Sequence, residues 1–189
     1  HSFTDPRGRR KVVIHRDVAE KNIMVTYEGA PKLLDFGIAK LLDDSVEAEV
    51  TTGTGMQLLT PRYAAPEQVR GEAITTATDV YALGVILYEL LTGSSPYGRA
   101  SATPDQLRAI CDTDPIRPSQ VARDPGVATS GTSGARLRGD LDAILLKCLR
   151  KSPLARYRGA AELADDLDAF LDGRAVAARA GSARYAFGK

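Results

Sequence analysis

Residues 15–22 of this 189-residue chain read HRDVAEKN, and they directly follow a short apolar run that ends at Ile14. Residues 35–37 read DFG after a second apolar run, and residues 65–67 read APE. A single three-residue string arises easily by chance. The three strings in this order, each next to the strand or loop that it needs, are a specific signal for one fold.

The sequence between the first two strings predicts a small β-hairpin. Ile23–Thr26 and Lys32–Leu34 are short apolar runs, and a turn around Gly29 separates them. A further short strand is predicted over Lys11–Ile14. The stretch that follows DFG is polar and rich in Thr, Gly and acidic residues as far as Thr60, which predicts a long surface loop.

The second half of the chain predicts helices. Apolar residues recur at helical spacing between Thr75 and Gly93 and are distributed over most of the helix circumference. This pattern indicates a helix that is buried on most sides. The expected fold class is therefore mainly α with a small β-hairpin. Further helices are expected to start at Thr103-Pro104, to run over residues 141–149 behind a cap at Asp140, and to span residues 160–171.

Composition and charge narrow the class of protein. Hydrophobic residues make up 43% and charged residues 26%, and the formal net charge is +1. This balance is typical of a soluble globular domain and gives no electrostatic reason to expect a nucleic-acid partner. Cys111 and Cys148 lack the spacing of metal ligands or of a disulfide framework, so we expect reduced thiols and a cytoplasmic location.

Taken together, HRDVAEKN, DFG and APE resemble the catalytic loop, the metal-binding triplet and the end of the activation segment of protein kinases. The resemblance runs from about Val12 to Gly173, and the stretches Arg138–Asp142 and Lys151–Pro153 are similar to bacterial serine/threonine kinases. It implies a kinase-like fold that transfers the γ-phosphate of ATP to serine or threonine residues of protein substrates.

The same resemblance implies roles for the residues of the reaction centre. Asp17 is expected to orient the acceptor hydroxyl and take its proton, with Thr60 hydrogen-bonded toward it. Asn22 and Asp35 are expected to supply hard oxygen ligands for Mg²⁺, or for Mn²⁺, which bridges the phosphates of ATP. Gly37 lets the backbone turn sharply after the metal-binding acid.

Other positions of the resemblance are structural or regulatory. Arg16 is expected beside the catalytic aspartate, where it could pair with a phosphate on the activation loop. The candidate phosphorylation sites of that loop are Thr51, Thr52 and Thr54. The structural positions are the packing residues His15 and Phe36, the brace of the catalytic loop Asp79, and an ion pair of Glu67 with Arg156.

One position departs from the family pattern. Serine/threonine kinases usually carry a lysine two residues after the catalytic aspartate, where it contacts the transferred phosphate, and this chain has Ala19 instead. Lys21 follows two positions later, much as an arginine follows an alanine in tyrosine kinases. Lys21 either supplies the missing positive charge or is a solvated lysine of a weakened kinase, and the sequence leaves both alternatives open.

No Gly-rich loop followed by a strand lysine occurs in the chain. We therefore expect the C-terminal lobe of a kinase without its N-terminal, ATP-binding lobe, and an apolar interface where that lobe would sit. Residues 1–172 are expected to form this partial domain and residues 173–189 a juxtamembrane-like tail, with any membrane anchor outside this chain.

Two functions fit these expectations. One is a fragment of a serine/threonine kinase that is inactive without its other lobe. The alternative is a catalytically weak or inactive pseudokinase that docks substrates or another kinase.

Overall fold

The computed structural model describes residues 2–4, 10–34, 61–98, 104–121 and 137–180. Within these residues the strands are β1 (Ser2–Thr4), β2 (Arg10–Val12), β3 (Ile23–Val25) and β4 (Pro31–Leu33). The α-helices are α1 (Pro66–Arg70), α2 (Thr76–Thr92), α3 (Pro104–Asp112), α4 (Pro118–Val121), α5 (Asp140–Cys148) and α6 (Ala160–Leu171).

The predicted hairpin is confirmed. Strands β3 and β4 pair antiparallel, with Ile23 opposite Leu33. Gly29 in the turn has a φ of 83°, a left-handed conformation that glycine adopts without steric penalty. The strand predicted over residues 11–14 is only partly right, because β2 pairs antiparallel with β1 and ends where Val12 lies opposite Ser2, the first residue of β1.

Helix α2 is the centre of the described fold. The Thr75 side chain caps its first turn by accepting a hydrogen bond from the Ala77 amide, and Gly93 ends it in a left-handed conformation with a φ of 69°. Its buried residues occur on most sides of the helix, as the sequence predicts. A Cβ at Gly84 would lie 2.5 Å from the Cβ of Cys148, so this glycine allows α2 and α5 to approach closely.

The buried core has two clusters, and α2 contributes to both. One cluster joins the segment after residue 17 to α2 and to the start of α1, and it includes Val18, Ala19 and Tyr81. The other packs α2 against α5 and α6 and includes Ile144 and Leu163. The segment that carries the HRD string is therefore fixed to the central helix by packing.

The N-terminal end of α5 differs from the expectation. Asp140 is the first residue of the helix rather than its cap, and Gly139 precedes it with a φ of 98°. The Asp140 carboxylate instead accepts a hydrogen bond from Arg179 at 2.7 Å. The Asp140 carboxylate, which the sequence predicts to cap α5, therefore pairs with an arginine 39 residues away in the sequence.

Packing also continues past the expected domain boundary at residue 172. Val176 is buried in the second core cluster, and a 3-10 turn follows over Ala177–Arg179. The Asp166 carboxylate of α6 accepts hydrogen bonds from the amides of this turn, including that of Ala178 at 2.8 Å. None of the helices in the described ranges combines the length and apolar character that crossing a membrane requires.

Candidate functional site

The HRD backbone is held by one carboxylate from the central helix. The two oxygens of Asp79 accept hydrogen bonds from the backbone amides of His15 at 2.8 Å and of Arg16 at 2.9 Å. Arg16 has a φ of 68°, a conformation that non-glycine residues rarely adopt and that persists only where surrounding contacts enforce it. The Asp79 carboxylate is in the position to enforce it.

Gln68 fixes the same segment from its other side. Its side-chain nitrogen donates to the Arg16 carbonyl at 2.9 Å, and its side-chain oxygen accepts from the Ala65 amide at 3.0 Å. One side chain therefore links the HRD segment to the APE string. Gln68 is not among the site residues predicted from the sequence, although the third residue of a helix is a known capping position.

Asp17, Asn22 and Lys21 come together after the HRD turn. The Asn22 side-chain nitrogen donates to the Asp17 carbonyl at 2.8 Å and to its carboxylate at 3.1 Å. The Lys21 ammonium lies 3.4 Å from the same carboxylate. The Asp17 side chain is 28% exposed, so its carboxylate is accessible to a substrate while its position is defined by two neighbours.

The end of the hairpin reaches this cluster. The Leu34 amide donates to the Asn22 carbonyl at 2.7 Å, and the His15 ring nitrogen Nε2 lies 3.1 Å from the Leu34 carbonyl. The residue that directly precedes the DFG string is therefore tied to the HRD segment. The predicted site residues that lie outside the described part of the chain are Asp35, Phe36, Gly37, Thr51, Thr52, Thr54 and Thr60.

Ala19 and Lys21 differ sharply in environment. Ala19 is fully buried and belongs to the core cluster around α2, whereas the Lys21 side chain is 58% exposed. A lysine in the Ala19 environment would bury its stem among apolar side chains. Lys21 is the residue whose ammonium reaches the Asp17 carboxylate.

The donor atoms suit a hard divalent cation. Both hydrogen bonds from the Asn22 side chain use its nitrogen, so its oxygen is the atom that could coordinate Mg²⁺ beside the Asp17 carboxylate. In the described part of the chain, no group of three or more His, Cys, Asp or Glu side chains forms a metal site. A further oxygen ligand would have to come from elsewhere, and the DFG aspartate follows directly on Leu34.

A buried ion pair involves Glu67, the residue that directly precedes Gln68 in α1. Arg156 donates two hydrogen bonds to the Glu67 carboxylate, both at 2.7 Å, and both side chains are almost fully buried. Burial by itself would raise the pKa of Glu67, but the hydrogen bonds and charge of Arg156, together with a hydrogen bond from Thr78, outweigh burial and lower it. The pair expected from the sequence is present in the structure.

The family model of the protein kinase domain matches residues 9–166 of this chain. The chain belongs to the protein kinase family. The HRD and APE strings, Asn22 and Arg156 all lie within the matched residues.

Three curated relatives of the chain are bacterial serine/threonine kinases. The chain is 41% identical over 155 residues to serine/threonine-protein kinase PknB of Mycobacterium leprae, which covers 82% of this chain and 22% of that protein. It is 38% identical over 163 residues to PknB of Mycolicibacterium smegmatis, covering 86% of the chain and 24% of the relative. A probable serine/threonine-protein kinase of Streptomyces coelicolor, SCO3848, is 35% identical over 181 residues, 96% of the chain and 25% of that kinase.

The chain thus spans a quarter or less of the length of these relatives. What it shares with them is the kinase domain region.

The buried ion pair predicts a large loss of stability when one partner is neutralised. Glu67→Gln leaves the Arg156 charge buried without its counter-charge, so the free energy of unfolding should fall by about 3–5 kcal/mol. Urea denaturation followed by circular dichroism measures it.

The matched control is Glu162→Gln, because Glu162 pairs with Arg158 at the surface, where the two side chains are 45% and 93% exposed. This control should cost less than about 1 kcal/mol. Equal losses for the two variants would contradict the importance of the buried pair.

Proposed function

We propose that this chain carries the catalytic loop of a serine/threonine protein kinase and represents its C-terminal, substrate-binding lobe. The reaction is transfer of the ATP γ-phosphate to a serine or threonine hydroxyl of a protein. The observation that supports it best is the cluster of Asp17, Asn22 and Lys21, on a segment that Asp79 holds by two backbone hydrogen bonds.

Asp17 is the proposed base. Its carboxylate is partly exposed and fixed, so it can accept a hydrogen bond from the incoming hydroxyl and orient the oxygen toward the phosphorus. As the new oxygen–phosphorus bond forms, the bond from the γ-phosphorus to the ADP oxygen breaks, and the hydroxyl proton passes to Asp17. Phosphoryl transfer of this kind depends mainly on positioning and on charge.

Asn22 and Asp35 are the proposed ligands of Mg²⁺. The Asn22 side-chain nitrogen makes both hydrogen bonds to Asp17. The Asn22 side-chain oxygen is therefore the atom that could coordinate the metal ion beside the Asp17 carboxylate, which supports this role. When bound, the magnesium ion neutralises negative charge on the phosphates of ATP.

Lys21 is proposed to replace the lysine that other serine/threonine kinases carry at the position of Ala19. The burial of Ala19 and the 3.4 Å approach of Lys21 to the Asp17 carboxylate support this replacement. The alternative is a weakened kinase or pseudokinase that serves as a docking module and in which Lys21 is only a solvated surface lysine. The 58% exposure of the Lys21 side chain favours this alternative.

The hairpin is proposed to face the ATP-binding lobe of the complete kinase. Large apolar side chains are exposed there: Met24 is 58% exposed, Val25 65%, and Tyr27 fully. Contiguous exposed apolar residues are typical of a surface that another unit covers.

In the complete protein we also propose that Arg16 pairs with a phosphate on the activation loop, and that the kinase domain is cytoplasmic with any membrane anchor outside this chain.

The proposed base predicts the effect of Asp17→Asn. In a protein that joins this chain to an ATP-binding lobe, the asparagine cannot accept the hydroxyl proton, so transfer should fall by about 100-fold or more. Labelling of a serine/threonine peptide by γ-³²P-ATP and Mg²⁺ measures it. Asp105→Asn, at a side chain that is 89% exposed, is the control and should leave the rate unchanged. Undiminished labelling by Asp17→Asn would refute the assignment of the base.

The proposed replacement predicts a charge requirement at residue 21. In the same protein, Lys21→Ala should lower kcat by about tenfold or more because one charge-assisted contact with the phosphate is lost, while Tm stays unchanged because the side chain is largely exposed. Lys21→Arg keeps the charge and should retain most of the activity. If Lys21→Ala is as active as the unmodified kinase, Lys21 is a solvated lysine and the replacement is wrong.

A further inference from the structure

A large concavity lies between α4, α5 and the turn Ala177–Arg179, and its volume is about 880 Å³. We call it the basic cavity because of the charged side chains that line it. Asp17, Lys21 and Asn22 are not among its lining residues, so it is separate from the proposed reaction centre. The cationic lining residues are Arg117, Arg138, Lys147, Arg150 and Arg179.

Two carboxylates, one that lines the basic cavity and one that pairs with the lining residue Arg179, are already engaged. Asp142 is buried and accepts hydrogen bonds from the Ser119 amide at 2.9 Å and from its hydroxyl at 2.7 Å. Asp140 accepts from Arg179 at 2.7 Å. Among the described residues, five cations less these two carboxylates leave three positive charges, although the whole chain has a formal net charge of only +1. Positive charge is therefore concentrated at this place.

The walls of the basic cavity are fixed. The Asp142–Ser119 hydrogen bonds join α4 to α5, and the ion pair of Arg179 with Asp140 joins the C-terminal turn to the start of α5. A site with fixed walls binds a ligand without first ordering its own elements. In contrast, Arg117, Arg138 and Arg150 are exposed, so their guanidinium groups are accessible to a ligand.

The composition of the lining selects the chemistry of the ligand. Four of the five cations are arginines, whose planar guanidinium matches phosphate oxygens in pairs. No aromatic side chain is among the described lining residues, so this part of the lining offers no platform on which a nucleic-acid base could stack. Leu146 is the one large apolar residue among them, which gives little anchorage for a lipid chain.

From this arrangement we propose that the basic cavity binds a protein segment that bears a phosphorylated serine or threonine. Its volume is that of a site for a peptide of a few residues, larger than one phosphate ion needs. Binding of a phosphopeptide to the basic cavity requires neither ATP nor phosphoryl transfer. The proposed binding site can therefore be disproved while the proposed kinase function stands, and the kinase function can be disproved while the binding site stands.

Titration of the 189-residue chain with a synthetic peptide tests the proposal. The probe is the peptide of residues 47–58 with phosphate on Thr51 and Thr54, and its unphosphorylated twin, which keeps the same acidic residues, is the reference. Fluorescence anisotropy gives the Kd of each, and NMR follows the amides of Ser119 and Gly139. The phosphorylated peptide should bind at least about tenfold tighter, less tightly as salt is raised, and it should shift both amides.

A triple variant then localises the binding. Arg117→Ala, Arg138→Ala and Arg150→Ala together should weaken phosphopeptide binding by about tenfold or more, with the circular dichroism spectrum unchanged. Arg158→Ala, at an arginine that is 93% exposed and outside the basic cavity, should bind as the unmodified chain does.

Further arms of the experiment decide the identity of the ligand. Equal affinity for the two peptides, unshifted amides in the unmodified chain, or equal weakening by the control would overturn the proposal. Inorganic phosphate that binds as tightly as the phosphopeptide would reduce the site to one for the free ion. Tighter binding to vesicles that contain phosphatidylserine would assign it to a membrane surface and overturn the choice of a peptide.

Discussion

The described site depends on the two hydrogen bonds that the Asp79 carboxylate accepts from the His15 and Arg16 amides. They transfer the rigidity of a buried helix to a short loop. The left-handed backbone of Arg16 costs of order 1–3 kcal/mol, and its contacts with Asp79 and Gln68 offset that strain. Asp17 comes next in the chain, so this geometry positions its backbone, and Asn22 and Lys21 contact its carboxylate.

Two carboxylates of the site, the buried Glu67 and the half-buried Asp79, act in different ways. The pKa of Glu67 is lowered on balance, so the ionised Glu67 stabilises the fold, and this contribution is lost as the pH falls through its folded-state pKa. Burial raises the pKa of Asp79, and the two amide hydrogen bonds only partly oppose it. Ionisation of Asp79 is therefore less favourable in the folded than in the unfolded chain, and the free energy of unfolding falls as the pH rises from the unfolded-state pKa to the folded-state pKa. The physical role of Asp79 is positioning, whereas that of Glu67 is stability.

The sequence predicts what local patterns determine. The hairpin follows from two apolar runs around Gly29, and α2 follows from helical spacing between a threonine cap and a glycine stop. The ion pair of Glu67 with Arg156 could be expected only from the family resemblance, because 89 residues separate its partners. Two interactions were not predicted: the hydrogen bond from Gln68 to the Arg16 carbonyl and the ion pair of Arg179 with Asp140. Both depend on contacts between segments that are distant in the sequence.

Hydrogen exchange at the His15 and Arg16 amides, followed by NMR in the unmodified chain and in Asp79→Ala, tests whether the Asp79 carboxylate holds the HRD segment. We expect slow exchange of both amides in the unmodified chain. We expect fast exchange of both in the variant, while the Val85 amide in α2 stays protected in each protein. Fast exchange in the unmodified chain, or slow exchange that survives the loss of the carboxylate, would show that Asp79 does not hold this segment.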